Sequence, residues 1–145
     1  MKKRSALAVL FLVVFIDLVG FGIVLPLLPR YAKQYGVSNL EQGVLMASFS
    51  AMQFLFSPFW GRVSDRVGRR PVILAGLLGS VAAYTGFALA GSFAQILATR
   101  IAAGFFGATI GTASAYIADV TSQEERGRGM ALIGAAFGIG FTVGP

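Results

Sequence analysis

The charges of this chain are confined to short segments, and the stretches between them are long and apolar. No charged residue lies between Glu41 and Arg62, and the stretch from Ala6 to Leu28 contains one, Asp17. As a helix, either stretch is long enough to cross the roughly 30 Å hydrocarbon core of a bilayer. The charged share is 12%, about half of what is usual in a soluble domain. The sequence therefore predicts an all-α membrane protein, a polytopic helical bundle.

The number of spans follows from the gaps between charges. From Arg70 to Asp119 the one charge is Arg100, and a single helix over this stretch would be about 72 Å long, so a turn is needed. Gly91-Ser92 is the best candidate for it. The predicted helices cover about 6–29, 41–61, 71–90, 93–118 and 128–145. Because the last helix stops without a polar tail, we expect a fragment cut inside its fifth helix; a complete short protein is the alternative.

Orientation is predicted by the distribution of lysine and arginine among the short loops. One side of the membrane receives Arg30 and Lys33, and the other side receives the larger set of Lys2, Lys3, Arg4, Arg62, Arg66, Arg69, Arg70, Arg126 and Arg128. The amino terminus and the segment 61–71 are therefore expected in the cytoplasm. Since these basic residues sit at the ends of apolar runs, membrane topology accounts for them and no nucleic-acid partner is expected.

Several chemistries are excluded by composition. The chain has no cysteine and no histidine, which removes disulfides, thiol nucleophiles, the usual zinc ligands and histidine bases. A membrane enzyme is disfavoured because no nucleophile–base pair is apparent, and no cofactor or metal is expected. The amino-terminal run is a retained helix rather than a signal peptide, because it is too long, contains an acid and lacks a small-residue cleavage site.

Small residues recur at every fourth position in three predicted helices. This spacing lets helix backbones approach closely in lipid, where no hydrophobic force drives helices together. Ser38 and Glu41 have the spacing of a capping box and should start the second helix. The three small-residue stripes are Gly43, Ala47 and Ala51; Ala103, Gly107, Gly111 and Ala115; and Ala136, Gly140 and Gly144.

Two ionisable residues are expected deep in the membrane. Asp17 lies about 17 Å along the first helix and Arg100 about 10 Å along the fourth, which enters from the opposite side. Inserting either charged residue at the centre of a membrane helix costs about 2.5–3.5 kcal/mol. Such residues by default mark an ion or substrate path. A carboxylate whose access to water alternates can gain and lose a proton, so Asp17 and Arg100 are the candidate proton-coupling residues. A buried Asp17–Arg100 pair that fixes helix packing is the structural alternative.

Polar and aromatic residues near the same depth are candidates for a substrate cavity. Gln53 could bond a ligand or equally a neighbouring helix, and Phe21 belongs to the segment around Asp17. That segment contains Gly20 and Gly22 and is followed by two prolines, Pro26 and Pro29. Glycine and proline weaken the helical ladder, as in the interrupted helices of transporter sites.

The segment GRVSDRVGRRP, residues 61–71, gathers four arginines around an acid. Gly61 and Gly68 would permit a tight turn and close approach. The positive-inside rule does not explain Asp65, which suggests a specific set of ion pairs. Asp119, at the cytoplasmic end of the fourth helix, is the expected second acid for Arg69 or Arg70.

These residues resemble the loop signature of the major facilitator superfamily, through Gly61, Asp65, Arg66, Gly68, Arg69 and Arg70. Asp17 with its following glycines and prolines, Arg100, and Gly140 with Gly144-Pro145 resemble motifs of the drug–proton antiporter branch. The pattern is most similar to the tetracycline-resistance efflux pumps, including Met52-Gln53 and Ile117-Ala118-Asp119.

The resemblance implies a bacterial cytoplasmic-membrane transporter of two six-helix halves that exchanges a drug for protons by rocking, with Asp65 and Asp119 latching a cytoplasmic gate. The carboxyl-terminal half is missing, so the chain should not transport alone. Tetracycline exporters carry an acid before a third-helix tyrosine, whereas this sequence has Ala83-Tyr84, and a broader lipophilic-drug exporter is an equal expectation. A metabolite or sugar carrier of the same superfamily and a non-transporting membrane scaffold are the alternatives.

Overall fold

The computed structural model describes residues 3–145, except for the side chains at positions 3–6, 9 and 32. Lys2 of the predicted cytoplasmic set lies outside the described residues, as do the side chains of Lys3 and Arg4. The described chain folds into α-helices without strands, which confirms the predicted helical bundle. The helices are α1 (Lys3–Gln34), α2 (Asn39–Val67), α3 (Arg69–Ala88), α4 (Phe93–Gly107), α5 (Ile110–Val120) and α6 (Arg126–Val143).

Four segments of the described chain are long and apolar enough to cross a membrane. They are Leu10–Tyr31 in α1, all of α2, all of α3, and Phe93–Val120, which joins α4 and α5. The predicted fifth span corresponds to α6, which has 18 residues and is not among these four. Its first turn contains Arg126 and Arg128, which lower its mean hydropathy.

The second helix is longer than the sequence suggested. Its start has the predicted capping box, in which the Glu41 backbone N–H donates to Ser38 Oγ and the Ser38 backbone N–H donates to Glu41 Oε2 at 2.8 Å. Its end lies at Val67, so Gly61 is inside the helix and not in a turn. No described atom from outside its own stretch of α2 lies within 4 Å of where a Gly61 side chain would start, so the expected close approach at Gly61 is wrong.

The first helix is continuous, although its glycines and prolines suggested a weakened segment. Pro26 and Pro29 lie inside α1, where each removes one N–H from the helical ladder. The two glycines serve packing instead. The Tyr84 ring lies against Gly20, and a side chain on Gly22 would start 3.2 Å from Gly144 Cα and 3.3 Å from Gly140 O.

The predicted helix 93–118 is divided in two by Ala108 and Thr109. At this break the Thr109 N–H donates to Phe106 O, three residues earlier, at 3.2 Å, which is the tighter turn of a 3₁₀ helix. The Thr109 hydroxyl donates to the same oxygen at 2.9 Å. The side chain thus competes for backbone hydrogen bonds, which is how threonine bends a membrane helix. The sequence had suggested one continuous helix over this stretch.

Helix α1 packs along α6, and α4 packs against both α2 and α3. We call the end of the bundle that carries Gly68 the basic end. Buried apolar side chains form three groups along the bundle. The basic-end cluster is Leu10, Val14, Leu18, Ile73, Ala113, Ile117, Ile133 and Ala136; the middle cluster is Phe49, Ala83 and Ala103; the far-end cluster is Val24, Leu28, Leu45, Phe87, Ala90 and Ile96.

The three small-residue stripes have different environments. Ala136, Gly140 and Gly144 of α6 are buried, in contact with α1 at the two glycines. On α2, by contrast, Gly43, Ala47 and Ala51 are all exposed within the described chain. The spacing therefore predicted a helix contact for α6, whereas the α2 stripe lies outside the packed interior of residues 3–145.

Candidate functional site

Arg69 joins two helices at the basic end through two carboxylates. Its Nη1 lies 2.6 Å from Asp65 Oδ1, four residues earlier, and its Nε donates to Asp119 Oδ2 on α5 at 3.0 Å. The same Nη1 donates to Ser64 Oγ at 2.6 Å, and the buried Ser64 hydroxyl donates to Gly61 O. The sequence had left Arg69 and Arg70 as alternative partners of Asp119, and the structure places Arg69 there.

The sharp turn at Gly68 makes this arrangement possible. Gly68 alone separates α2 from α3, and its φ of 99° is one that side-chain-bearing residues rarely adopt. The turn brings Arg69 back over the last turn of α2, next to Asp65. Here the expected tight turn at Gly68 agrees with the structure.

The remaining loop arginines have other surroundings. Arg70 Nε donates to the Tyr116 hydroxyl on α5 at 3.0 Å, a contact that the sequence did not predict. Arg62 and Arg66 are exposed, and neither forms an ion pair with another residue that the structure describes. At the basic end, the polar contacts between α3 and α5 are therefore made by two arginines, one bound to a carboxylate and one to a phenol.

The Asp65 and Asp119 side chains are 60% and 54% exposed, so these ion pairs are weak. An exposed pair contributes about 0.2–1 kcal/mol, because water screens the charges and two side chains lose freedom. Such contacts can hold one conformation without making it permanent.

Asp17 is 7% exposed and lies in the interior of the bundle. Its Oδ1 has no hydrogen-bond partner among the described residues, and Ser80 on α3 lies beside the same carboxyl group. The Tyr84 hydroxyl donates to the Asp17 backbone oxygen at 3.2 Å. Helix α3 thus holds Asp17 through the Tyr84 hydroxyl, a contact that the sequence did not indicate.

Arg100 is 2% exposed and lacks an acidic partner in the part of the chain that the structure describes. Its Nε and Nη1 have no acceptor there. Its guanidinium carbon lies 4.5 Å from the centre of the Phe49 ring and 5.5 Å from that of Phe21, which gives cation–π contacts. The alternative of a buried Asp17–Arg100 ion pair is thus not what the described residues form.

Ala83 lies next to Arg100 in the packing of α3 on α4. Gly86 is opposite Thr99 and Gly79 is opposite Phe106, so antiparallel helices place Ala83 near Ala102 and Ala103, within a turn of Arg100. Ala83 is 6% exposed in the middle cluster, which also contains Phe49. An acid at this position would therefore lie within about one helical turn of Arg100 along the α3–α4 contact.

The two candidate cavity residues are both engaged with other helices. Gln53 Nε2 donates to Gly107 O at the α4–α5 break, 3.3 Å away, which agrees with the interhelical alternative. Trp60 Nε1 donates to Phe105 O at 2.7 Å beside the same break. Phe21 packs on Phe49 and, edge to face, on Phe141 of α6, with ring centres 4.7 and 5.6 Å apart.

The motif glycines at the end of α6 touch α1 directly. A side chain on Gly144 would start 2.9 Å from both Gly22 Cα and Val19 O, and one on Gly140 would start 2.8 Å from Leu18 Cβ. A side chain on Gly22 would start 3.4 Å from Pro145 Cδ. The structure thus places Gly140, Gly144 and Pro145 against the segment of α1 that follows Asp17.

No group of three or more acidic, histidine or cysteine residues within the described chain could hold a metal ion. The arrangement offers instead a buried carboxyl group, a buried guanidinium and a weak ion-pair closure at one end. Together these can bind and release a proton and close one side of a bundle.

Comparison with known proteins gives matches over nearly the whole chain. The family model described as Major Facilitator Superfamily matches residues 10–145. The chain is 44% identical over 148 residues to tetracycline resistance protein, class C, of Escherichia coli, covering 100% of this chain and 37% of that protein. It is 39% identical over 149 residues to tetracycline resistance protein, class D, of Salmonella ordonez, again covering 100% of this chain and 37% of the relative.

A human relative is also similar. Major facilitator superfamily domain-containing protein 10 of Homo sapiens is 34% identical over 172 residues, which cover 99% of this chain and 38% of that protein. The chain therefore spans less than two fifths of the length of these curated relatives.

Proposed function

Because the chain belongs to the major facilitator superfamily, a family of transporters rather than enzymes, we propose that it takes part in proton-coupled export of a lipophilic drug, such as a tetracycline. The proposed setting is the cytoplasmic membrane of a bacterium, crossed several times, with the amino terminus and the basic end in the cytoplasm. A carboxyl-terminal half outside these residues completes the drug pathway. Protons and the drug are exchanged by alternating access.

The observation that carries this proposal is the unpaired carboxyl oxygen of Asp17 inside the bundle. An ionisable group in this environment costs several kcal/mol, and Asp17 forms no ion pair with a described residue that would explain it as a structural element. A group without a fixed counter-charge can change its protonation state whenever water reaches it. Asp17 is therefore proposed to bind the proton that enters as the drug leaves.

Arg100 and its aromatic neighbours are proposed to separate the proton site from the drug site. The guanidinium is covered by Phe21 and Phe49, and Phe21 also contacts Phe141 on α6. Because Phe21 is one turn from Asp17 on α1, a drug that displaces the Phe21 ring would also affect the surroundings of Asp17. This gives a physical route by which drug binding and proton binding influence each other.

The closure at the basic end is proposed to be the cytoplasmic gate. Arg69 holds α3, α2 and α5 together through Asp65 and Asp119, and Arg70 adds the contact to Tyr116. When the cavity faces outward these contacts keep the cytoplasmic side shut. Opening requires the loss of a few exposed ion pairs, which thermal motion and drug binding can supply.

The test is Asp17→Asn in the full-length protein, assayed in inside-out membrane vesicles with an imposed proton gradient. Proton-driven drug uptake should be lost, while the amount of protein in the membrane stays at the wild-type level. Ser80→Ala is the matched control, because it alters a neighbour of the carboxyl group without removing the group itself. Wild-type uptake by Asp17→Asn would reject proton exchange at this residue.

A second candidate is a carrier of another small molecule in the same superfamily. Two observations favour it: Ala83 occupies the position where tetracycline exporters are expected to carry an acid, and a human protein without tetracycline in its name is 34% identical. Competition of unlabelled compounds against drug uptake in the same vesicles distinguishes the two, because a metabolite carrier would be inhibited by its metabolite at lower concentrations than by any drug.

A further inference from the structure

A small cavity adjoins Asp17 on the side away from Arg100. Its volume is about 10 Å³, and its wall includes Val14 and Asp17 of α1, Gly76 of α3, and Thr109 and Ala113 at and beyond the α4–α5 break. That volume is at the lower limit for one water molecule. The residues on α1 that line it precede Asp17, so it lies on the basic-end side of the carboxyl group, whereas Phe21 lies on the other side.

The two polar side chains of this wall match the bonding needs of one water. Asp17 Oδ1 has no partner among the described residues and can accept a hydrogen bond. The Thr109 hydroxyl already donates its hydrogen to Phe106 O, so its oxygen has lone pairs left to accept another. A water between them would donate to both oxygens, and two partners are enough to hold a buried water.

The helix break and a glycine together create this site. Thr109 lies so close to Gly76 that a side chain on Gly76 would overlap the Thr109 hydroxyl. Thr109 lies at the α4–α5 break. Its side chain reaches α3 beside the Asp17 cavity, and Gly76 leaves room for it.

Apolar side chains close the cavity toward the basic end. Val14, Ile73 and Ala113 belong both to its wall and to the basic-end cluster, which continues through Leu10 and Ile117. No charged side chain other than Asp17 lines it. A proton that passes between the cavity and the cytoplasm must therefore wait until α1, α3 and α5 separate at this cluster.

We propose that this cavity holds one water, which is the proton relay between Asp17 and the basic end and is positioned by Thr109. When the basic-end cluster parts, bulk water gives a proton to this water, which passes a proton on to Asp17 Oδ1 and remains in place. In the opposite direction the carboxylic proton passes to this water, which gives a proton to bulk water. The relay role rests on the proposed proton exchange at Asp17, but the water site itself does not.

Thr109→Val in the full-length protein tests the proposal, because valine keeps the shape of threonine and removes its hydroxyl. Two controls accompany it. Thr109→Ser restores a hydroxyl, and Thr112→Val removes a hydroxyl on α5 that is also buried but is not in the cavity wall. The readouts are a high-resolution map of the protein and the infrared stretching band of the Asp17 carboxyl group, assigned by its loss in Asp17→Asn.

The wild-type map should show a water between Asp17 and Thr109, and this water should be absent in Thr109→Val. The Asp17 band of that variant should shift in the direction of weaker hydrogen bonding. The carboxyl proton should exchange with deuterium at least about fivefold more slowly, the factor expected for the loss of one hydrogen bond. Thr109→Ser and Thr112→Val should behave as wild type. A wild-type map without the water, or equal behaviour of Thr109→Val and Thr112→Val, would overturn the proposal.

These results are separable from the proposed function. If the water and the band shift are found but Asp17→Asn still exports drug in a proton-driven manner, proton exchange at Asp17 fails and the relay role fails with it, while the water site stands. If Asp17→Asn abolishes export and the water is absent, the exchange stands and the relay is rejected.

Discussion

Gly140→Ala should loosen the contact between α1 and α6. The added methyl group would lie 2.8 Å from Leu18 Cβ and 3.5 Å from both the carbonyl carbon of Leu18 and the Val19 nitrogen. Carbon atoms pack at about 3.5–4.0 Å, so the helices have to separate locally by about 0.7–1.2 Å. Leu18 Cβ is attached to the backbone and cannot turn aside. Overpacking of this kind costs about 1–3 kcal/mol.

The matched control is Gly138→Ala, two residues earlier on the same helix, where no described atom from another helix lies within 4 Å of the new methyl group. Both variants gain the same helix propensity of about 1 kcal/mol, so their difference isolates the contact with α1. The measurement is the free energy of unfolding of the full-length protein in mixed detergent micelles. We expect Gly140→Ala to be less stable than Gly138→Ala by about 1–3 kcal/mol.

Equal stability of the two variants, within about 0.5 kcal/mol, would refute the reasoning. It would mean that α1 and α6 are not in backbone contact at this point. Because Leu18 is adjacent to Asp17, a displaced α1 would also move the carboxyl group. Drug export by Gly140→Ala should therefore fall together with its stability, whereas Gly138→Ala should export at the wild-type rate.

Two further predictions concern the gate and the buried arginine. Asp65→Asn and Asp119→Asn should each weaken gate closure by roughly 1.5- to 5-fold, as expected for exposed ion pairs. Each should slow export in vesicles without lowering expression. Glu124→Gln, which changes an exposed acid at the same end, should leave export at the wild-type rate. Wild-type export by Asp65→Asn would reduce its role to topology. Ala83→Asp should be tolerated because the new acid lies near Arg100. In an Arg100→Ala background the same substitution should lower the free energy of unfolding by about 3–5 kcal/mol more than it does in the wild-type background. Equal costs in both backgrounds would show that positions 83 and 100 do not meet.

The helices were predictable because charge and hydropathy specify them directly. Charged residues cannot lie in the hydrocarbon core without cost, so the gaps between them mark the spans. Ser38 and Glu41 fixed the start of α2 by local hydrogen bonding, which does not depend on the rest of the fold. The end of α2 was less predictable, because the segment up to Val67 is polar enough for a loop but is held in the helix by contacts such as the Ser64 hydroxyl on Gly61 O.

Features that depend on neighbouring helices could not be predicted from local sequence. The α4–α5 break is stabilised from α2, through Gln53 and Trp60, and from within, through the Thr109 hydroxyl. Gly20 and Gly22 suggested a weakened helix when only the neighbouring sequence was considered. Their packing partners, the Tyr84 ring and α6, are distant in sequence, so the packing role of these glycines could not be predicted. A signal for the break was present in Gly107-Ala108-Thr109, a small-residue run followed by a residue that competes for backbone bonds.

Permanent and reversible contacts occupy different parts of this bundle. At Gly22 and Gly144, glycines let α1 pack closely on α6, and Gly104 lets α4 pack on the backbone of Phe49 in α2. These contacts cannot be broken without exposing buried backbone to lipid. The contacts of Arg69 with Asp65 and Asp119, by contrast, are exposed to water, which can replace them at a cost of about 1 kcal/mol or less. Motion is therefore expected to open the basic end around Arg69 while α1 moves as one unit with α6. Since Asp17 is on α1 and its cavity is also walled by α3 and α5, that same motion would change the access of water to the carboxyl group.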